Sequence, residues 1–181
     1  MPCKRLFVAI DLPPGITDLL LEMDPHLPGV RWLRTNDIHL TLSFLGNVGA
    51  TAEDSLREKL GLVRFNAFFM PVCGVGTFPA RGKPNVIWAG VGQGHPQLFH
   101  LHKRVQEAAL SAGLEPELRA WHPHITLARC RDISAESVRP FLKQRADFDA
   151  GLVRVESFCL YSSVPGPRGS VYTGELQVSA A

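Results

Sequence analysis

The sequence HLTLSF at residues 39–44 alternates polar and apolar side chains, and HITLA at residues 124–128 has the same pattern. Alternation with a period of two is typical of a β-strand that buries one face. Each stretch is therefore predicted to form a strand that presents a histidine and a threonine side by side on its open face. The leucine and isoleucine side chains on the opposite face are predicted to pack in the core.

The elements around these two strands are predicted to follow one another in the same order in both halves of the chain. A short strand, a helix and a tryptophan in a loop, Trp32 or Trp121, precede each histidine, and a helix and a further strand follow it. The predicted strands lie at residues 6–10, 39–44, 68–75, 86–91, 124–128, 152–161 and 170–178. The predicted helices begin near Pro13, Thr51, Pro96 and Ser134.

This repeated order predicts an internal duplication, because the two histidines are separated by nearly half of the 181 residues. We expect a single bilobal domain over residues 1–181, with halves at approximately 1–80 and 81–181. The fold class is α+β: two pseudo-symmetric lobes, each with a mainly antiparallel sheet and flanking helices, and an active-site cleft between them. The Gly- and Pro-rich segment 74–85 is predicted to connect the halves.

The composition excludes several classes of protein. The 19 Lys and Arg against 17 Asp and Glu leave a net charge of +2, which argues against a protein that coats long stretches of nucleic acid. The four cysteines are far apart and form no CxxC pair, so we expect reduced thiols and a cytoplasmic location. No apolar run resembles a signal peptide or reaches membrane-spanning length, so no membrane partner is expected.

The repeated His-x-Thr pattern restricts the chemistry of the predicted cleft. Two imidazoles with ordinary pKa values near 6.5 can be held one neutral and one protonated, as general base and general acid require. Paired threonine hydroxyls can donate hydrogen bonds to the non-bridging oxygens of a phosphate. His39, Thr41, His124 and Thr126 therefore predict a site for opening a cyclic phosphate that needs neither a metal nor a cofactor.

The sequences HLTL at residues 39–42 and PHITLAR at residues 123–129 resemble the paired signatures of the two-histidine (2H) phosphoesterases. Within that superfamily, the chain is most similar to the bacterial and archaeal RNA 2',3'-cyclic phosphodiesterases, also called 2'-5' RNA ligases. The resemblance covers almost the whole chain. Further matching positions are residues 5–10, Trp32, residues 44–46, 78–79, 86–90 and 160–163, and Tyr172.

The resemblance implies metal-independent hydrolysis of RNA 2',3'-cyclic phosphate ends to 2'-phosphate, with His39 and His124 as the acid-base pair and Thr41 and Thr126 as substrate-binding residues. We favour His124 as the base that activates water and His39 as the acid that protonates the 3' oxygen, although both imidazoles suit either role. The implied partner is an RNA 3' end or a nucleotide with a cyclic phosphate. We expect a monomer without an obligatory protein partner.

The roles of two residues beside the second motif remain open. Arg129 is a candidate substrate-binding residue because its forked donors suit a phosphate, yet strict alternation places it on the face opposite to His124. A bulge or the end of the strand would have to redirect it. His122 shares a face with His124 and is either half of a metal pair or a surface histidine; we favour the surface histidine, because zinc needs three or four ligands.

Other aromatic and basic residues allow both a structural and a functional interpretation. Trp32 and Trp121 either fill the core, which we favour, or stack on a nucleobase. Arg81 and Lys83 either follow an RNA backbone or belong to a solvated loop.

Two further functions agree with the same residues. The first is a 2'-5' RNA ligase or a cyclic phosphodiesterase that acts on small nucleotides, which only a comparison of substrates separates from the main hypothesis. The second is a non-catalytic RNA-binding module that keeps the cleft, for which binding would be unaffected by removal of both imidazoles.

Overall fold

The computed structural model describes residues 3–93, 95–115, 117 and 119–181. These residues contain four α-helices: α1 Pro14–Leu21, α2 Ala50–Gly61, α3 Pro96–Ser111 and α4 Ala135–Gln144. A short 3-10 helix spans Thr35–Asp37. The strands of the described residues are β1 Lys4–Asp11, β2 Val30–Trp32, β3 His39–Val48, β4 Phe68–Cys73, β5 Val75–Phe78, β6 Val86–Gly90, β7 His124–Cys130, β8 Asp149–Val155, β9 Ser157–Gly166 and β10 Gly169–Ser179.

Most strands belong to one antiparallel sheet. Two groups of strands make up this sheet, and they meet at its middle. The order is β10-β9-β1-β3-β7-β6-β5, with β2 paired to the part of β7 beyond that meeting point. The groups β10-β9-β1-β3 and β7-β6-β5 are joined by the single residue pair Leu40 and Ile125. Strands β4 and β8 form a separate two-stranded sheet. This arrangement confirms the predicted α+β fold with mainly antiparallel sheets, while the division into two lobes stays a prediction.

The two motif strands bury the face that their alternation predicts. Leu40 and Leu42 of β3 are fully buried, as are Ile125 and Leu127 of β7. Burial of one such side chain stabilises the fold by roughly 1.5–3 kcal/mol, so the four together fix which face of each strand is turned inward. The opposite face, with the histidines and threonines, is left partly exposed.

Two predicted boundaries are wrong because the chain makes pairings that a local pattern does not reveal. Trp32 lies in strand β2 and not in a loop, since Val30–Trp32 pairs with the end of β7. The predicted strand 152–161 is two strands, interrupted at Glu156. Strand β8 pairs with β4 in the small sheet whereas β9 pairs with β1, so the chain changes sheets at this point.

The predicted connection between the halves contains strand β5, which forms a hairpin with β6. Gly74 separates β4 from β5 and has φ +75, a left-handed conformation that glycine adopts without strain. The connection proper is therefore residues 79–85. The division of the domain into halves at about residue 80 stays a prediction. Within the described residues, α-helices are all too short or too polar to cross a lipid bilayer.

Candidate active site

A β-bulge in β7 decides where Arg129 points. The pairing of β7 with β6 skips Leu127, so the alternation of side chains shifts by one residue beyond that position. Leu127 and Ala128 are both buried, and Arg129 is exposed on the face that carries His124 and Thr126. The bulge that would be needed to redirect Arg129 is therefore present in β7, and it turns the Arg129 side chain towards the cleft.

Strand β3 contains a bulge at the matching position. Its pairing with β1 skips Leu42, and the next residue that returns to the open face is Phe44. Phe44 follows His39 at the same spacing as Arg129 follows His124. Each strand thus presents a histidine, a threonine and one further side chain on its open face. The further side chain is the apolar Phe44 on β3 and the cationic Arg129 on β7.

The pair Leu40 and Ile125 sets the relation between the two motifs. In an antiparallel ladder this pair places His39 opposite Thr126 and Thr41 opposite His124. The two histidines are then diagonal neighbours, which in a regular ladder are separated by roughly 7–8 Å. Each motif supplies one histidine and one threonine to the same stretch of the sheet.

A cavity of about 460 Å³ lies on this face of the sheet and brings together four of the five predicted site residues: His39, Thr41, Thr126 and Arg129. His124 instead lines a second pocket, of about 300 Å³. Its walls there include the aromatic rings of Phe78, Trp88 and Phe99.

His39 sits among aromatic rings. Its imidazole stacks on Phe7 with ring centroids 5.0 Å apart and meets the edge of Tyr172 at 5.6 Å. Burial lowers the pKa of His39 from 6.5 to about 4, although the charges of Asp11 and Asp37 act in the opposite direction. His39 is therefore neutral at pH 7 while the cavity is empty.

A hydrogen bond to the backbone determines which ring nitrogen of His124 carries the proton. The Nδ1 atom of this imidazole lies 2.7 Å from the carbonyl oxygen of His122. A carbonyl only accepts hydrogen bonds, so Nδ1 carries the proton of the neutral ring and the lone pair lies on Nε2. Burial lowers the pKa of His124 below its ordinary 6.5, whereas the hydrogen bond to His122 opposes that shift and Arg129 adds to it. At pH 7 this ring is a neutral base.

The two tryptophans are held by structural contacts. Trp32 donates from Nε1 to the carbonyl oxygen of Leu20 at 3.1 Å. Trp121 stacks on His102 at 4.0 Å and donates from Nε1 to the carbonyl oxygen of Thr41 at 3.2 Å. These contacts support the interpretation of Trp121 as a packing residue, whereas Trp32 also lines the cavity and both interpretations stay open for it. Trp121 also ties the loop before β7 to the first motif strand, which positions Thr41.

His122 contributes its carbonyl oxygen to the site, while its side chain is exposed at the mouth of the pocket that His124 lines. In the part of the chain that the structure describes, no three side chains of the His, Cys, Asp or Glu type come close enough together to hold a metal ion.

The cavity wall also contains residues that the sequence did not predict as part of the site; among them, Arg31, Arg34 and Arg168 line the cavity with Arg129. They come from β2, from the segment that follows it and from the turn before β10, and they belong to no repeated motif. Of the basic residues that the sequence singled out instead, Lys83 is exposed and paired with Asp132 at 2.7 Å.

A mainly antiparallel α+β fold with a His-x-Thr motif on each of two adjoining strands defines a two-histidine phosphoesterase. The family described as LigT-like phosphoesterase matches residues 10–88 and 91–172, and the chain belongs to this family.

Individual relatives agree with this assignment. An RNA 2',3'-cyclic phosphodiesterase of Aeropyrum pernix is 31% identical over 153 residues, which are 84% of this chain and 87% of the relative. One of Archaeoglobus fulgidus is 30% identical over 171 residues, covering 93% and 96% of the two chains. The structure of E. coli LigT complexed with 3'-AMP matches with a TM-score of 0.81 and 27% identity over 98% of each chain.

Proposed function

We propose that this chain hydrolyses the 2',3'-cyclic phosphate at RNA 3' ends and leaves a 2'-phosphate, without a metal ion. The observation that carries the proposal is the junction of the two His-x-Thr strands at Leu40 and Ile125, beside an arginine-lined cavity. The names of the relatives from Aeropyrum pernix and Archaeoglobus fulgidus support the same reaction. The complex of E. coli LigT with 3'-AMP supports a nucleotide as the ligand.

In the proposed reaction, His124 acts as the base and His39 as the acid. Nε2 of His124 takes a proton from water as the water oxygen attacks phosphorus. The bond from phosphorus to the 3' oxygen breaks, and His39 delivers a proton to that oxygen, so the 2'-phosphate remains. Thr41, Thr126 and Arg129 stabilise the negative charge on the non-bridging oxygens.

The charges near each imidazole support this assignment. Asp11 and Asp37 favour the protonated form of His39, whereas Arg129 disfavours the protonated form of His124. Burial outweighs the two carboxylates while the cavity is empty, which is why the pKa of His39 falls to about 4. A bound phosphate anion adds to the carboxylates, so substrate binding brings the acid into its required protonation state.

The pH dependence of the reaction follows from the lowered pKa values of His39 and His124. One imidazole must be protonated and the other neutral, so kcat/KM falls when both are charged and when both are neutral. Since the pKa of His39 is about 4 and that of His124 is lowered from 6.5 in the empty site, we expect a bell-shaped kcat/KM with its maximum between the two pKa values and therefore below pH 6.5. The kcat profile should lie at higher pH, because the bound anion raises both pKa values. A flat profile, or a kcat/KM optimum above pH 7, would contradict this mechanism.

The test of the proposed function is a turnover assay with an RNA oligonucleotide that ends in a 2',3'-cyclic phosphate, run in excess chelator. We expect undiminished turnover and a 2'-phosphate product, identified by phosphorus NMR. Parallel reactions contain a 5'-hydroxyl RNA acceptor or a mononucleotide cyclic phosphate, and they measure the 2'-5' ligase and small-nucleotide activities. Loss of turnover in chelator, or a 3'-phosphate product, would overturn the proposal.

A further inference from the structure

The cavity extends well beyond the two motifs, to guanidinium groups that the proposed reaction does not use. Arg31 in β2 is the direct cross-strand partner of Arg129 in β7. Residues paired in this way have Cα atoms about 4.5–5.5 Å apart, so Arg31 lies beside Arg129 on the neighbouring strand. Arg34 and Arg168 line the same cavity farther along.

The turn between β9 and β10 brings these groups together. A Cβ atom on Gly169 would lie 3.6 Å from Nη2 of Arg34 and 3.9 Å from Nη1 of Arg31. Arg168 precedes this glycine and lines the cavity with it. Side chains from β2, from the residue before the 3-10 helix and from the last hairpin therefore converge on one end of the cavity.

The charge of the cavity wall is far from balanced. The whole chain has a net charge of only +2, yet the cavity wall contains Arg5, Arg31, Arg34, Arg129 and Arg168, with Asp37 as its acidic member. Asp37 accepts a hydrogen bond from Nε of Arg34 at 3.0 Å, which orients that guanidinium and neutralises one of the charges. The planar forks of Arg31 and Arg168 remain to bind an anion, and their geometry suits a phosphate.

We propose that Arg31, Arg34 and Arg168 form a second phosphate subsite, distinct from the one that holds the cyclic phosphate. The inference rests on the proposed function. In an RNA 3' end the next phosphate along the chain is attached to the 5' oxygen of the terminal nucleoside. This phosphate is the ligand of the subsite, so the preferred substrate carries a phosphate at both ends of its last nucleoside.

Three substrates test the subsite: a nucleoside 2',3'-cyclic phosphate, the same compound with a 5'-phosphate, and a dinucleotide that ends in the cyclic phosphate. We expect kcat/KM to rise about tenfold or more with the added phosphate, since each charge-assisted hydrogen bond to it is strong. A gain with both phosphorylated substrates indicates a subsite that accepts any 5'-phosphate. A gain with the dinucleotide alone indicates one that requires an RNA chain.

The variants Arg31→Ala, Arg34→Ala and Arg168→Ala then assign the gain to this cluster. Each should reduce the ratio of kcat/KM between the phosphorylated substrate and the unphosphorylated nucleoside cyclic phosphate, and the triple variant should bring it close to one. Arg139→Ala, an exposed arginine of α4 that does not line the cavity, removes the same charge and should leave the ratio unchanged.

Distinct outcomes separate this inference from the proposed function. Wild-type turnover of the nucleoside cyclic phosphate without any gain from an added phosphate would overturn the subsite and leave the function intact. The subsite would also be overturned if the increase in kcat/KM from the added phosphate persisted in the triple variant. The same holds if Arg139→Ala abolished this increase as fully as the triple variant does. Absence of turnover with all three substrates would overturn the proposed function itself.

Discussion

Replacement of His39 or His124 with alanine should lower kcat for opening of a 2',3'-cyclic phosphate by about 10²–10⁴-fold, because each change removes one of the two proton transfers. The double variant should be little worse than either single variant, since residues that act as a unit have non-additive effects. Steady-state kinetics with a cyclic phosphate substrate measures both quantities.

The controls for this experiment separate catalysis from folding. His100→Ala alters an exposed histidine of α3 away from the cavity and should keep wild-type kcat. His39→Gln retains much of the volume that packs against Phe7, so its thermal unfolding should resemble that of the wild type while its activity is lost. If His39→Ala or His124→Ala kept kcat within threefold of the wild type, the acid-base assignment would be wrong.

Replacement of both Thr41 and Thr126 with valine should lower kcat/KM by about 10²–10³-fold, because the hydroxyl donors to the phosphate oxygens are lost. Valine has nearly the shape of threonine and suits a strand equally well, so β3 and β7 should remain folded. Each single change should have a smaller effect, measured with the same substrate.

Thr173→Val is the matched control, since Thr173 is an exposed strand residue of β10 outside the cavity. It should not alter kcat/KM. Wild-type kcat/KM in the double variant would mean that the threonines are present for their β-propensity alone, the structural interpretation of their repetition.

The part of the site that the sequence predicts is the part set by local periodicity. Alternation alone places His39 beside Thr41 and buries Leu40, and the same holds for the second motif. The repetition of the pattern predicts two equivalent strands. The single pair Leu40 and Ile125, through which the strands meet, depends on the packing of the complete sheet.

The orientation of Arg129 was left open because a bulge is a property of two strands and not of one. The skipped residue Leu127 appears in the pairing with β6, and nothing in the alternation of β7 itself predicts it. Arg31, Arg34 and Arg168 escaped prediction for a similar reason. They are distant in sequence, and only the β2–β7 pairing and the last hairpin bring them to one cavity.

Pairing that a single strand does not reveal also explains the errors in the predicted strands. The chain passes from the small sheet to the large one at Glu156, within the run 152–161 that is predicted as one strand. Strand β2 has three residues, too few to show a period. Its position on β7 nevertheless matters for the proposed phosphate subsite, because it places Arg31 beside Arg129.

Catalysis by an acid-base pair requires both imidazoles to reach one phosphate, and a crystal structure of this chain with a bound 3'-nucleotide would show whether they do. His39 lines the main cavity and His124 a second pocket, and the pair Leu40 and Ile125 places His124 opposite Thr41 of the main cavity. We therefore expect the phosphate to lie between the two motifs. We predict phosphate oxygens within about 3.2 Å of Nε2 of both His39 and His124. A phosphate held by the arginines alone, with either Nε2 beyond about 4 Å, would contradict the account.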